Sequence, residues 1–249
     1  MRLFLHELRV QQKLFWRNRE AAFFTFLLPV IFFLIFGSVY GNDRIEGVRG
    51  ASYLEAGMIG YGVAATAFAG LAITMVIRRE TGVLKRVRGT PLPRPTYLAA
   101  VLASILIVFA IQAATIIVLG RVLYDVGFPH RIVSLVLALL LGAGSFAALG
   151  LAITGAVRSA EGSSAVVNAI YLPMAIISGT FFSPHSYPGF LRAIADVLPL
   201  TYFTRLARDV LLHGREIWSR PAPVAWVAAW GAIGVVLAVW GFRWEPREG

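Results

Sequence analysis

Charged residues fall in clusters along the chain and leave six long uncharged stretches, 21–42, 56–77, 95–120, 132–157, 162–191 and 221–242. About 20 mainly apolar residues cross a bilayer as a helix, so each stretch is long enough for one span. The fifth stops spanning near Ser183, where the run Ser-Pro-His-Ser-Tyr-Pro begins. The pattern predicts an all-α integral membrane protein with six transmembrane helices at approximately 21–41, 56–77, 96–120, 132–157, 162–183 and 222–242. The first stretch exceeds the roughly 7–15-residue core of a secretory signal, and no Ala-x-Ala site follows it, so it reads as a retained span.

Residues 1–20 repeat with a helical period instead. At 100° per residue, Arg2, Arg9, Lys13 and Arg17 fall on one stripe, and Leu3, Phe4, Leu8, Leu14 and Phe15 on the other side. This predicts an amphipathic interfacial helix ahead of a transmembrane domain over 21–249. Between spans two and three lies Arg78-Arg-Glu-Thr-Gly-Val-Leu-Lys-Arg-Val-Arg-Gly-Thr-Pro-Leu-Pro-Arg-Pro-Thr-Tyr97. A short basic helix is expected from Arg79 to about Arg88, ended by Gly89 and stopped by Pro91. Such a segment suits either a positive-inside loop or a docking element for a cytoplasmic partner. Residues 183–223, before the last span, hold two apolar runs at helical spacing, Phe190 to Leu198 and Tyr202 to Leu211. They read as short amphipathic helices on the outer face, with Arg192, Asp196, Arg205, Arg208 and Asp209 on their other faces.

The composition agrees with a membrane chain. Of 249 residues, 58% are hydrophobic and 14% charged, with a mean hydropathy of +0.73. A net charge of +10 would suggest nucleic acid in a soluble protein. Here the charge lies in the loops, which points to the positive-inside rule and to no nucleic-acid partner. With the N-terminus inside, 14 of the 23 Lys and Arg residues fall on the cytoplasmic side. Both termini of a multi-pass cell-membrane protein are therefore expected in the cytoplasm.

Catalytic chemistry is not evident. There is no cysteine, the four histidines have no metal-ligand spacing, and no glycine-rich phosphate loop precedes Lys13 or Lys85. Ion-driven carriers place ionisable residues inside their spans, whereas the centres of these six stretches hold none. Gln112 and Asn168 are the most polar deep residues. Small residues crowd span two, and Gly60/Ala64, Thr66/Gly70 and Gly144/Ala148 are spaced for close helix packing. A transporter built this way is either a passive pore or one that borrows energy from another subunit.

Four stretches together resemble the membrane subunit of type-2 ATP-binding cassette exporters. They are the basic N-terminus running into Trp16-Arg-Asn-Arg and Leu28-Pro29, the segment Arg79 to Leu92, the run Ser178-Gly-Thr-Phe-Phe-Ser-Pro184, and Leu198-Pro-Leu-Thr-Tyr-Phe-Thr followed by Arg205 and Arg208-Asp-Val. The resemblance implies a permease paired with a second permease subunit, in a homo- or heterodimer, each on a separate ATPase subunit. ATP and Mg would bind that partner, with no cofactor or metal on this chain. It implies a coupling helix over Arg79–Arg88, with Arg79, Glu80, Lys85, Arg86 and Thr90 at the docking surface. Thr66, Gln112, Asn168, Ser178 and Phe181 are the residues expected along the substrate path. An apolar path suits export of a hydrophobic or amphipathic drug, antibiotic or lipid-like compound. The alternatives are a lipid-linked polysaccharide exporter permease, a passive channel, a lipid-acting membrane enzyme and a tether for an ATPase.

Overall fold

A computed structural model describes residues 1–157 and 159–245. Arg158 and Arg247, both counted in the charge-sidedness argument, lie outside the described residues. The chain starts with α1 (Arg2–Arg17) and turns at Asn18 into α2 (Arg19–Tyr40). The Asn18 side chain accepts from Ala21 N, an ordinary N-cap that lets a new helix begin at an angle to the last. A two-residue hairpin follows, β1 (Arg44–Ile45) and β2 (Val48–Arg49). Its turn places Glu46 and Gly47 at positive φ, as a tight hairpin of this twist requires.

Span two is a single helix, Gly50–Glu80, built of α3 (Gly50–Val63), a π-helical segment Ala64–Gly70, and α4 (Leu71–Glu80). After it come α5 (Val83–Arg88), α6 (Arg94–Tyr124), α7 (Ile132–Thr154), α8 (Ala160–Ile177), α9 (Gly189–Ala195), α10 (Pro199–Leu211) and α11 (Pro221–Gly241). Among the described residues, six helices are long and apolar enough to cross a membrane: α2, α3–α4, α6, α7, α8 and α11. The protein is an all-α, multi-pass integral membrane protein. Alternation of six spans puts α1, α5 and the end of α11 at one end of the bundle. The hairpin, α9 and α10 lie at the other.

Span two is the most buried of the six, and its small residues explain why. A Cβ built on Gly57 would lie 2.0 Å from the Thr180 carbonyl oxygen, one on Gly60 2.3 Å from Thr204 Cγ2, and one on Gly62 2.7 Å from Gln112 Oε1. With little hydrophobic drive between helices in lipid, such close approach is what gives van der Waals contact. Spans four and six use the same device. A Cβ on Gly231 would meet Ser145 Oγ at 2.6 Å, and one on Gly234 would meet Leu149 N at 2.7 Å. Gly144 behaves differently: it faces outward, with nothing near an added methyl.

Three local readings change. The segment expected as one helix over Arg79–Arg88 is broken at Thr81–Gly82, where Gly82 has φ +74, so Arg79 and Glu80 finish span two rather than start the short helix. The uncharged stretch starting at Ala56 is preceded by helical residues from Gly50, which carries Glu55 inside the helix at 1% exposure. Finally, α10 is not a surface helix. Leu200, Phe203, Leu206 and Val210 are wholly buried, and Arg208 and Asp209 are buried with them.

Candidate functional site

At the end of the bundle that carries α1 and the end of α11, α5 is a two-turn helix anchored by apolar side chains, with Val87 half-buried against the core. Leu84 is fully buried, while Lys85, Arg86 and Thr90 are exposed. Among the described residues neither Lys85 nor Arg86 has a carboxylate partner, whereas Arg88 Nη1 lies 2.5 Å from Glu245 Oε1. Thr90 Oγ1 donates to the Val87 carbonyl at 2.7 Å and closes the helix end. The start of α6 is braced by Tyr97, whose hydroxyl accepts from Arg78 Nη1 at 2.9 Å. The outcome is a short, stiff cationic face fixed directly to the most buried span.

Arg79 does not share that face. It is 1% exposed, with Nη1 donating to Thr154 O at 2.8 Å and Nη2 to Val157 O at 2.6 Å. Its Nε lies 2.6 Å from Glu80 Oε1. In this arrangement the guanidinium is committed to the foot of α7 and presents nothing to a docking partner. Glu80 is partly exposed and belongs half to this joint.

Along the bundle, the five expected path residues do not converge on one point. Phe181, just past α8, lies in an aromatic cluster with Phe36 (centroids 5.2 Å apart), Phe32 (5.5 Å) and Tyr61 (6.0 Å). Tyr171 joins through Tyr61 at 5.7 Å. These rings come from spans one, two and five, and their edge-to-face and tilted contacts are the preferred ones for aromatic pairs. Ser178 is buried, and its carbonyl accepts from Thr204 Oγ1 at 3.0 Å. Thr66 sits within the π-helical segment, donating to Gly62 O at 2.7 Å. Gln112 is turned to spans one and two, with Nε2 donating to Thr25 O at 3.2 Å. Asn168 is half-exposed on α8.

Several functional candidates have no clear mark in the sequence. The π-helical segment interrupts span two beside the aromatic cluster, and such segments are frequent at functional positions. Phe32, Phe36, Tyr61 and Tyr171 look like ordinary lipid-facing or core aromatics until Phe181 is seen among them. On the N-terminal helix, Gln12 Nε2 donates to both the Ser104 carbonyl and its hydroxyl at 3.0 Å. That polar seam tethers α1 along α6, in the helix expected to lie at the interface.

The opposite end of the bundle is held by charge. Arg208 donates Nη2 to the Gly179 carbonyl, and its guanidinium lies 3.6 Å from the centre of the Tyr53 ring. Burial pushes the Arg208 pKa below the ordinary guanidinium range, and nearby Tyr53 and Glu46 oppose that shift. Its neighbour Asp209 gathers Arg220 Nε at 2.6 Å and Arg215 Nη1 at 3.0 Å, with His213 Nδ1 at 3.7 Å. This network pins α10 to the start of α11.

Comparison with known proteins follows the same outline. Residues 2–212 match the family model described as ABC-2 type transporter. The chain is 27% identical over 206 residues to a protein of Bacillus subtilis (strain 168) named as the transport permease YvfS, covering 82% of this chain and 83% of that one. It is 29% identical over 198 residues to a protein of Streptomyces coeruleorubidus named daunorubicin resistance ABC transporter permease protein DrrB1, covering 76% of this chain and 67% of that one.

Proposed function

We propose, from the premise that this chain belongs to the ABC-2 type transporter family, that it is the permease half of an ATP-driven exporter of hydrophobic or amphipathic compounds. The observation that carries the reading is α5: a two-turn helix with Lys85, Arg86 and Thr90 outward, Leu84 buried, and only Thr81–Gly82 between it and the central span. A separate ATP-binding subunit meets that face and hydrolyses ATP with Mg bound to itself. Because ATP is cytoplasmic, α5 and both termini lie in the cytoplasm, in keeping with the excess of Lys and Arg at that end. Two copies of the permease, or one copy and a related chain, complete the assembly in the cell membrane.

The ring cluster supports that substrate class. Phe32, Phe36, Tyr61, Tyr171 and Phe181 form an aromatic seam between spans one, two and five, with Tyr61, Tyr171 and Phe181 buried within the chain; a path opening along that seam suits a planar amphipathic molecule better than a polyanion. A relative named for daunorubicin resistance supports the same class. Thr66, Ser178 and Asn168 are then polar contacts along the route, and Gln112 is a packing residue behind it, bonded to the Thr25 carbonyl.

The test uses inverted membrane vesicles containing the chain and its ATP-binding subunit, with daunorubicin fluorescence as the probe. ATP-dependent accumulation, abolished by Lys85→Glu with Arg86→Glu, is the expected result. Accumulation unaffected by that charge reversal would remove α5 from the docking role. Accumulation without ATP would replace the exporter with a passive pore.

A further inference from the structure

Helix C-termini leave about four carbonyls without an intrahelical donor, and a cation placed there is favoured by the helix dipole. Span four ends at Thr154 with no basic residue in its own last turn. The missing cation comes from span two. Arg79 donates to Thr154 O and Val157 O through its two terminal nitrogens, and a planar guanidinium is the side chain able to meet two carbonyls at once in fixed geometry. The third donor position, Nε, holds Glu80 at 2.6 Å.

This joint stands at the entrance to α5. The Arg79 carbonyl itself accepts from Gly82 N at 3.0 Å, so the turn leading into α5 is built on the same residue that grips α7. On the far side, the foot of span four is locked to span six: a Cβ on Gly155 would lie 2.8 Å from the Gly241 carbonyl oxygen, continuing the seam of Gly231 and Gly234. Buried polar groups in low dielectric hold their geometry because breaking them leaves unpaired carbonyls and charge. A push on α5 therefore arrives at Arg79 within one turn and has a rigid route to two further spans.

The geometry points to Arg79 as a positioning residue that carries movement of α5 to the inner ends of spans four and six. It rests on the reading of α5 as the docking helix and adds a route for the motion once docking occurs. Arg79 touches neither ATP nor substrate; it acts by tying two helix ends together.

The chain has no cysteine, so spin labels can be introduced in pairs without background. The complex with its ATP-binding subunit, diluted with unlabelled permease, carries labels at Val83 and Ala156 in one sample and at Ala156 and Val122 in another. Distances are read by double electron–electron resonance without nucleotide and with ATP plus vanadate. In the otherwise native protein, the Val83–Ala156 distance stays constant and the Ala156–Val122 distance changes. In Arg79→Gln the pattern inverts, with a shift of several ångströms in the first pair and none in the second. Arg79→Lys keeps the charge but lacks the rigid planar fork that holds both carbonyls in fixed geometry, so it behaves as Arg79→Gln. A Gly-Gly insertion after Gly82 leaves the joint untouched and produces the same inversion, which separates lost transmission from misfolding. Native-like distances in Arg79→Gln, or a silent Ala156–Val122 pair in the native complex, would overturn the assignment. Failure of the two subunits to associate would instead overturn the docking reading beneath it.

Discussion

Gly57→Ala adds one methyl group at a close backbone crossing of span two. The new carbon would lie 2.0 Å from the Thr180 carbonyl oxygen and 2.9 Å from its carbon, both main-chain atoms that cannot rotate aside. Carbon–oxygen contacts normally begin at about 3.3 Å, so the two backbones must part by roughly 1.3 Å. Overpacking of this kind costs about 1–3 kcal/mol. The displaced segment also carries the Gly179 carbonyl bound by Arg208 and the Ser178 carbonyl bound by Thr204, and weakening these adds about 1–3 kcal/mol. A total near 4 kcal/mol lowers the melting midpoint by about 8–16 °C for a chain of this size. The assay is the fraction of monodisperse protein left after heating, followed by fluorescence-detected gel filtration. Gly144→Ala is the matched control, since nothing lies within 4 Å of its added methyl and alanine is favoured over glycine inside a helix by about 1 kcal/mol. Equal midpoints for Gly57→Ala and the native protein would refute the packing of span two against Thr180.

Other expectations are as direct. Glu80→Ala with Arg86→Ala removes one contact of the Arg79 joint and one cation of the docking face, so export per ATP hydrolysed falls while the six-span fold persists; equal coupling ratios in proteoliposomes would count against both roles. Gln112→Ala loses the bond to the Thr25 carbonyl and costs about 1 kcal/mol of stability, with the daunorubicin KM unchanged; a shifted KM would return Gln112 to the substrate path. Asp209→Asn leaves Arg215 and Arg220 without their shared carboxylate and costs about 2 kcal/mol, read as an earlier loss of monodispersity on heating.

The six spans and the family are legible in the sequence because twenty uncharged residues, or a motif such as Arg79 to Leu92, form a signal along one dimension. Burial of single polar groups depends on chain segments far away. Glu55 lies inside the membrane helix because Gly120 opposite it leaves room: a Cβ there would be 2.4 Å from Glu55 Oε2. Arg79 is grouped by motif with Lys85 and Arg86, yet its acceptors lie 75 and 78 residues later at the foot of α7. Residues on α10 suffer the same ambiguity. Periodicity separates Arg208 and Asp209 from the apolar face but does not say that a second surface, of Tyr53, Gly179 and Arg220, closes over them. Phe181 is recognisable as an aromatic in a motif, whereas its ring partners in spans one and two become partners only on folding.

The most direct measurement is affinity purification of the tagged chain from gently solubilised native membranes, with mass spectrometry of its companions, repeated for Lys85→Glu with Arg86→Glu. A stoichiometric ATP-binding subunit that co-purifies with the native chain and is lost on charge reversal is the predicted result. Recovery of the chain without any ATP-binding subunit, under conditions that preserve other membrane complexes, would contradict an ATP-driven permease coupled through α5.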